Sequence, residues 1–468
     1  MTGDASKARP RGRRLVRFDR DALAGALIFA LTTAIFLASP LRQIADSKFS
    51  TLVSESLIHR RTFTLDHYRI PDLAPVLTYG SASNTSLYQI EFVNGHYYHL
   101  YPPGGHVLSA PYVALLNLCG VSAAHPDGSY NPRGERIIQG SLASLLMGAL
   151  AAVFFFTARL LLPVAWSAWL ALGGALGTQV WSTASRALWT DTWGILLLGL
   201  ALHSVLADAA GKRRLNPVWL ATLLSWMYFA RPTYSIQIVA VAVYILIYRR
   251  HLFMRFAFTG AAWCAAFVAY SEFHYRQLLP TYYYLASQLK FDSFLTAFAG
   301  NLVSPSRGLL VYVPALFFVA YLHLRYRREN SHARLTRLAV AVCAAHLLLI
   351  ASFSPWWSGH SYGPRYTTGI VPWFVLLGII GVRAMLTWRE KLSPAEGGDM
   401  RRRPASLYFG AALLALSVLV NLRGATASAT WRWNLYPQNV DQHPERVWDW
   451  RHPQFLATKA GTTPPPQP

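Results

Sequence analysis

Charged side chains are scarce in this chain. They make up 14% of its 468 residues, while hydrophobic residues make up 53%; an ordinary soluble domain carries roughly 25% charge. That balance excludes disorder for the bulk of the chain and argues against the two or three soluble domains that the length alone would allow. Acids are the scarcest charge, 21 against 43 Lys and Arg, for a formal net charge of +22. The three cysteines, Cys119, Cys264 and Cys343, are too few and too scattered for a disulfide framework or a thiolate metal site. A glycine-rich phosphate loop following a strand is missing as well, which removes the usual nucleotide site. Internal repeats are also missing, and many secondary transporters are built from them.

What the chain has in quantity is long apolar runs. About 20 mainly apolar residues cross a bilayer, and eleven stretches qualify: 22–40, 136–160, 164–183, 191–209, 216–230, 233–248, 254–272, 308–324, 338–354, 366–386 and 406–421. The expected fold is therefore an all-α polytopic membrane protein of about 11 transmembrane helices, with a large first extracytoplasmic loop carrying interfacial helices. Arg231-Pro232 marks a tight turn between the fifth and sixth spans. Val107 to Val121 is too short to cross and reads as an interfacial helix. The first span is too long for a signal-peptide core and is followed by Pro40-Leu41-Arg42-Gln43 rather than a small-residue cleavage site, so it is expected to remain as an anchor.

The positive-inside rule assigns sides. With the N-terminus in the cytoplasm, residues 1–20, 210–215, 249–255, 325–337 and 389–403 are cytoplasmic. They hold just over half of the basic residues but fewer than a third of the acids. The charge excess is thus mostly a topology signal, and Arg401-Arg402-Arg403 and the run from Arg9 read as anchors on an anionic leaflet rather than nucleic-acid patches. No nucleic-acid partner is expected. Residues 1–20 form a basic cytoplasmic N-terminus and 21–421 the membrane domain, with outer loops at 41–135 and 273–307. Residues 422–468 form an outer tail with a Trp-rich stretch suited to an aromatic belt and a Pro-rich end.

Charges on the outer face are few enough to name. Asp46 follows the first span and Asp191 opens the fourth. Each reads either as a helix N-terminal cap or as a general base at the lipid–water boundary. Arg186, Arg231, Arg307 and Arg365 each sit at a span end, where they either pair and snorkel or clamp a phosphate bidentately. His96, His99 and His106 share the first loop without regular ligand spacing. Asp19-Arg20-Asp21 has the form of a metal-binding DxD but lies on the opposite side from the large loops.

Taken in order, several motifs resemble a known group. ADSKFSTLVSESLIHRRTFTLD follows the first span, LYPPGGHVLSAP precedes a short helix, and SRALWTD, ARPTYS, SPSRGLLVYVP and WWSGHSYGPRY come after. Across roughly the whole chain this succession resembles the polytopic glycosyltransferases of the C superfamily, which include protein O-mannosyltransferases and lipid A aminoarabinose transferases. The resemblance implies that Asp46 is the catalytic base and that Asp191, with Arg186 five residues before it, matches the family's second acid. It likewise matches Arg231-Pro232 to the family's turn between the fifth and sixth spans and places Arg365 near the donor phosphate, with Arg307 and Arg231 as supporting cations. Three positions depart from the pattern. Ser47 stands where a second acid is common, Phe49 comes one residue early, and Tyr101 replaces the Lys or His before the Pro pair, with His99 two positions earlier as the nearest phosphate contact. The implied reaction is inverting transfer of a sugar from a polyprenyl-phosphate donor to an acceptor hydroxyl on a glycan, lipid or protein at the outer face of the cytoplasmic membrane. No cofactor is implied, and a divalent metal is left open. Rival readings are a transporter or lipid flippase, for which ionisable residues deep in the spans would be expected, a polymer ligase of the same superfamily, and a subunit with a degenerate site.

Overall fold

A computed structural model describes residues 20–74, 85–284, 289–392 and 405–462. The N-terminal basic segment before Arg20, the Arg401-Arg402-Arg403 run and the last six residues with their prolines lie outside the described residues. The protein is mostly helical, and among the described residues seven helices are long and apolar enough to cross a membrane: α1 (Arg20–Ala38), α4 (Pro132–Arg159), α6 (Thr190–Ala209), α9 (Arg250–Tyr275), α13 (Ala333–Ala351), α14 (Val371–Leu392, entered through a 3₁₀ turn at Arg365–Ile370) and α15 (Ala405–Thr426). Between them lie the shorter helices α2 (Ser50–Arg60), α3 (Gly104–Leu118), α5 (Val164–Leu176), α7 (Pro217–Ala230), α8 (Ser235–Tyr248), α10 (Phe294–Val303), α11 (Leu309–Tyr312), α12 (Ala315–Arg325) and α16 (Ser428–Arg432).

Seven of the eleven expected stretches thus carry a helix of spanning length, and the other four carry shorter ones. Local chemistry explains the difference. Residues 164–183 are cut at Gly177 into α5 and a π-helical turn at Val180–Ala184. Residues 308–324 are cut at Val313-Pro314, because proline offers no amide hydrogen and restricts the residue before it. Arg231 is extended (φ −163°, ψ 125°), as a residue before proline prefers, so α7 stops at Ala230 and Pro232 opens the next turn. Two helix starts show the complementary signal. Asn131 and Asn216 cap α4 and α7 through their side-chain oxygens, each followed by proline at the first helical position.

The core lies where α4, α6 and α14 meet, and these are the most buried of the spanning helices, so their apolar residues are not confined to one face. The outer helices are apolar on their exposed faces as well. Leu23, Leu27 and Leu31 of α1, Met254, Phe258 and Phe273 of α9, and Tyr408, Phe409, Leu416 and Leu419 of α15 all stand open. Apolar surface on that scale is not left facing water, and it fits contact with lipid, as expected of a membrane protein.

Two lobes cover the end of the bundle where α4 and α6 begin. The first packs α2 against α3 beside a hairpin of β1 (Ile90–Val93) and β2 (His96–His99), paired antiparallel with Ile90 opposite His99. α3 overlaps the interfacial segment expected over 107–121. Gly104 opens α3 against the backbone of α7; a Cβ there would meet the Phe229 carbonyl carbon at 2.6 Å, which is why a glycine follows the Pro pair. The second lobe is built from the segment expected as an outer tail with an aromatic belt. α15 runs to Thr426, and residues 428–462 fold onto 352–361 through Trp356, Trp433, Val440 and Val447. Trp433 is buried in that lobe rather than placed in an aromatic belt.

The first lobe also buries an acid. Glu91 on β1 is 2% exposed beside Tyr275 and Thr281, and burial pushes its carboxyl up to about 8. Its folded value lies above its ordinary 4.5, so the associated stability is complete below about pH 4.5 and is lost as the pH rises toward 8. Glu91→Gln is therefore expected to melt close to the parent protein at pH 4 and clearly above it at pH 8. A variant that melts lower than the parent at pH 8 would show that an ionised, paired carboxylate is needed there.

Candidate active site

The loop after α1 is held from below by α4. Glu135, one turn into α4, accepts hydrogen bonds from the Phe49 and Thr51 amides (3.1 and 3.4 Å), the Thr51 hydroxyl (2.8 Å) and the Tyr130 hydroxyl (2.5 Å). One turn further on, Gln139 accepts from the Ser47 hydroxyl and donates to its carbonyl, both at 2.7 Å. These bonds stabilise an uncommon backbone, since Phe49 has φ +72°, a region bulky residues avoid. Glu135 rather than Asp46 caps α2, so the cap reading of Asp46 does not hold. Ser47, where a second acid was expected from the resemblance, is buried with its hydroxyl committed to Gln139. Asp46 is left projecting over a cavity.

Arg365 reaches Asp46 from a distant part of the chain, and the two form an ion pair. The turn carrying Arg365 is shaped by Gly363, whose φ of +61° and close approach to Tyr312 admit no side chain. It is fixed by Thr368 donating to the Arg365 carbonyl (2.6 Å) and by Gln454 accepting from the Gly363 amide (3.0 Å). The guanidinium lies 3.9 Å from the ring centroid of Trp189, the residue that opens α6. Asp191, two residues on, does not cap α6. It pairs with Arg231 and accepts from Tyr234 at 3.4 Å. Arg231 in turn lies 5.8 Å from the Tyr366 ring, beside Arg365 in sequence. Two acids and two arginines from four separate elements therefore form one net-neutral group. Both arginines are nine-tenths buried, and neither Nε has a hydrogen-bond partner among the described residues.

A small cavity beside this group opens to solvent; Asp46, Ser50, His99, Tyr101, His106 and Trp189 are part of its wall. Of the four charged residues Asp46 alone lines the cavity; Arg365 reaches it through Asp46, and Asp191, paired with Arg231, is suited to positioning that arginine. His99 lines the cavity but does not fit the expected phosphate contact. Its Nε2 lies 3.0 Å from the Lys48 carbonyl, and a carbonyl only accepts, so Nε2 carries the proton. Burial pushes the ring down to about 4, leaving it neutral at neutral pH.

Two of the outer arginines are elsewhere. Arg186 donates to the carbonyls of Phe36 and Ser39 (2.7 and 3.0 Å) and to Ser185, closing the end of α1, where a cation complements the helix dipole. Arg307 spends its donors inside the second lobe. Nε donates to the Trp357 carbonyl, Nη1 to Ser306 and Gln454, and Nη2 to Gly359 and Asn434, at 2.5 to 3.2 Å. Neither reaches the cavity. Arg307→Ala is accordingly expected to lower stability by about 3 kcal/mol or more, since charge-assisted bonds contribute about 1.5–3 kcal/mol each. Melting in detergent would measure this, and an unchanged midpoint would contradict the assignment.

Among the described residues no group of three or more His, Cys, Asp or Glu side chains is arranged to hold a metal ion. Comparison with known protein families finds no match, and neither does comparison with curated proteins.

Proposed function

We propose that the protein is an integral membrane glycosyltransferase that moves a sugar from a polyprenyl-phosphate donor to an acceptor hydroxyl at the extracytoplasmic face, with inversion at the anomeric carbon. The observation that carries this reading is the contact between Asp46, at the wall of a cavity in a lipid-facing protein, and the guanidinium of Arg365, 319 residues away in the chain. The motifs that carry the family resemblance supply both partners.

The chemistry follows from the pair. A donor phosphate, bidentate and dianion-like as it leaves, competes with the Asp46 carboxylate for Arg365. Displaced, Asp46 accepts the proton of the acceptor hydroxyl as that oxygen bonds to the anomeric carbon. The bond from that carbon to the phosphate oxygen breaks, and the phosphate keeps the electron pair. Arg365 and Arg231 meet the growing charge with donors already in place, so little reorganisation is required. Asp191 holds Arg231 in position and offsets its charge while the site is empty of donor.

The test is release of labelled sugar from polyprenyl-phosphate mannose by the purified protein in proteoliposomes supplied with envelope acceptor. Asp46-dependent transfer is expected. A protein that moves the intact lipid between leaflets without cleaving it would replace this reading with the flippase.

A further inference from the structure

The cavity carries a second chemical signature, separate from the ion pairs. Sixteen buried side-chain nitrogen or oxygen atoms lack a hydrogen-bond partner among the described residues, and four of them belong to residues of this one wall: His99 Nδ1, His106 Nε2, Trp189 Nε1 and Thr190 Oγ1. Native interiors rarely leave such atoms unmatched, so their concentration here points to a ligand that completes them. Their roles are partly fixed. With its proton on Nε2, His99 presents an Nδ1 lone pair that only accepts. Trp189 Nε1 only donates, and the Thr190 hydroxyl does both. His99 and His106 are both nine-tenths buried and meet edge to face, with centroids 4.8 Å apart.

Mixed donors and acceptors without charge describe a partner that is itself both donor and acceptor, as adjacent sugar hydroxyls are. The indole of Trp193 adds an aromatic surface to the same wall, its Nε1 tied to Ser109 at 2.9 Å. Charge narrows the choice further. Asp46 is the one acid of the wall, and it faces Arg365. Burial holds both histidines neutral, pushing His106 well below the usual imidazole range. An ammonium substituent would find no free carboxylate, and one held at Asp46 would neutralise the proposed base. A uronate would find no cation on this wall among the described residues, since Arg365 lies behind Asp46 and is taken by the donor phosphate in the proposed reaction.

We infer that the His99, His106, Trp189 and Thr190 wall is the sugar-reading subsite and that it takes a neutral, hydroxyl-bearing ring in preference to an amino sugar or a uronic acid. This rests on the glycosyltransferase reading and deepens it, since the resemblance spans enzymes for both neutral and amino sugars. The ring is carried either by the donor or by the acceptor, and the same chemistry serves both.

Binding of three lipids to the full-length protein in nanodiscs tests the inference: polyprenyl-phosphate mannose, the corresponding aminoarabinose lipid and bare polyprenyl phosphate, with methyl mannoside as a soluble competitor. The mannose lipid is expected to bind about tenfold more tightly than the other two. Trp189→Phe keeps an aromatic face beneath Arg365 and Thr190→Val keeps the volume. Each should reduce that advantage several-fold, and Thr190→Val, which does not touch Arg365, should leave bare polyprenyl phosphate unchanged. Variants that weaken only methyl mannoside place the same subsite on the acceptor side. Equal binding of mannose and aminoarabinose lipids, or variants that alter neither probe, overturns the inference. If bare polyprenyl phosphate still binds and is lost in Arg365→Ala, that failure leaves the glycosyltransferase reading standing. If bare polyprenyl phosphate does not bind at all, both fall.

Discussion

Asp46→Asn is expected to abolish sugar transfer, lowering the rate by a factor of about one hundred to ten thousand, the range for loss of a positioned general base. The variant should still fold and insert. Its loop is held by Ser47 against Gln139 and by the Phe49 amide against Glu135, and neither bond involves Asp46. The amide oxygen of asparagine still accepts from Arg365 but carries no charge, so it competes less well for the guanidinium. Bare polyprenyl phosphate should therefore bind the variant at least as tightly as the parent while turnover is lost. Measured together, these two quantities separate a catalytic carboxylate from a structural one. Full activity would remove Asp46 from the chemistry, and weakened phosphate binding would show that the ion pair builds the site rather than occupying it.

Much of this group was legible before the structure because charge is rare in the chain. In apolar sequence, an acid or arginine at a span end stands out, and that signal found Asp46, Asp191, Arg231 and Arg365, which the fold gathers. The same signal found Arg186 and Arg307, which it does not. A cation at a span end does not reveal whether its hydrogens meet the carbonyls of a helix end, as in Arg186, or those of a packed lobe, as in Arg307. Glu135 was missed for a related reason. An acid in the first turn after Asn131-Pro132 is an ordinary helix-dipole partner, and only tertiary packing brings the Phe49 amide to it. The Trp189 indole and the Thr190 hydroxyl sit inside the SRALWTD motif, yet nothing local distinguishes an indole that packs from one that faces a cavity. The helices themselves followed from length and apolarity except where proline or glycine cut them. The second lobe was hidden because Trp433, Val440 and Val447 bury themselves against a loop some 80 residues earlier, a pairing that no local periodicity encodes.

Arg365→Ala should be the second most damaging change, and its signature should differ from that of Asp46→Asn. Removing a donor that stabilises charge in the transition state costs about one hundred to one thousand fold in kcat, and in the proposed reaction the same guanidinium also holds the ground-state phosphate, so KM for the donor should rise too. Arg365→Lys is expected to recover only a small part. A single ammonium does not reproduce the planar fork that meets Asp46, the Trp189 face and a phosphate oxygen together. The double variant lacking both Asp46 and Arg365 should be little worse than the poorer single one, because base and leaving-group stabiliser act in one step and their effects do not add. Arg231→Ala provides the contrast. It leaves Asp191, 2% exposed, as an uncompensated buried charge, which costs about 3–5 kcal/mol. Its loss of activity should therefore come with a lower melting temperature, whereas Arg365→Ala, whose partner Asp46 borders the open cavity, should melt close to the parent. Normal donor kinetics in Arg365→Ala would remove it from the phosphate site. A melting loss as large as that of Arg231→Ala would make it a structural arginine like Arg186 and Arg307.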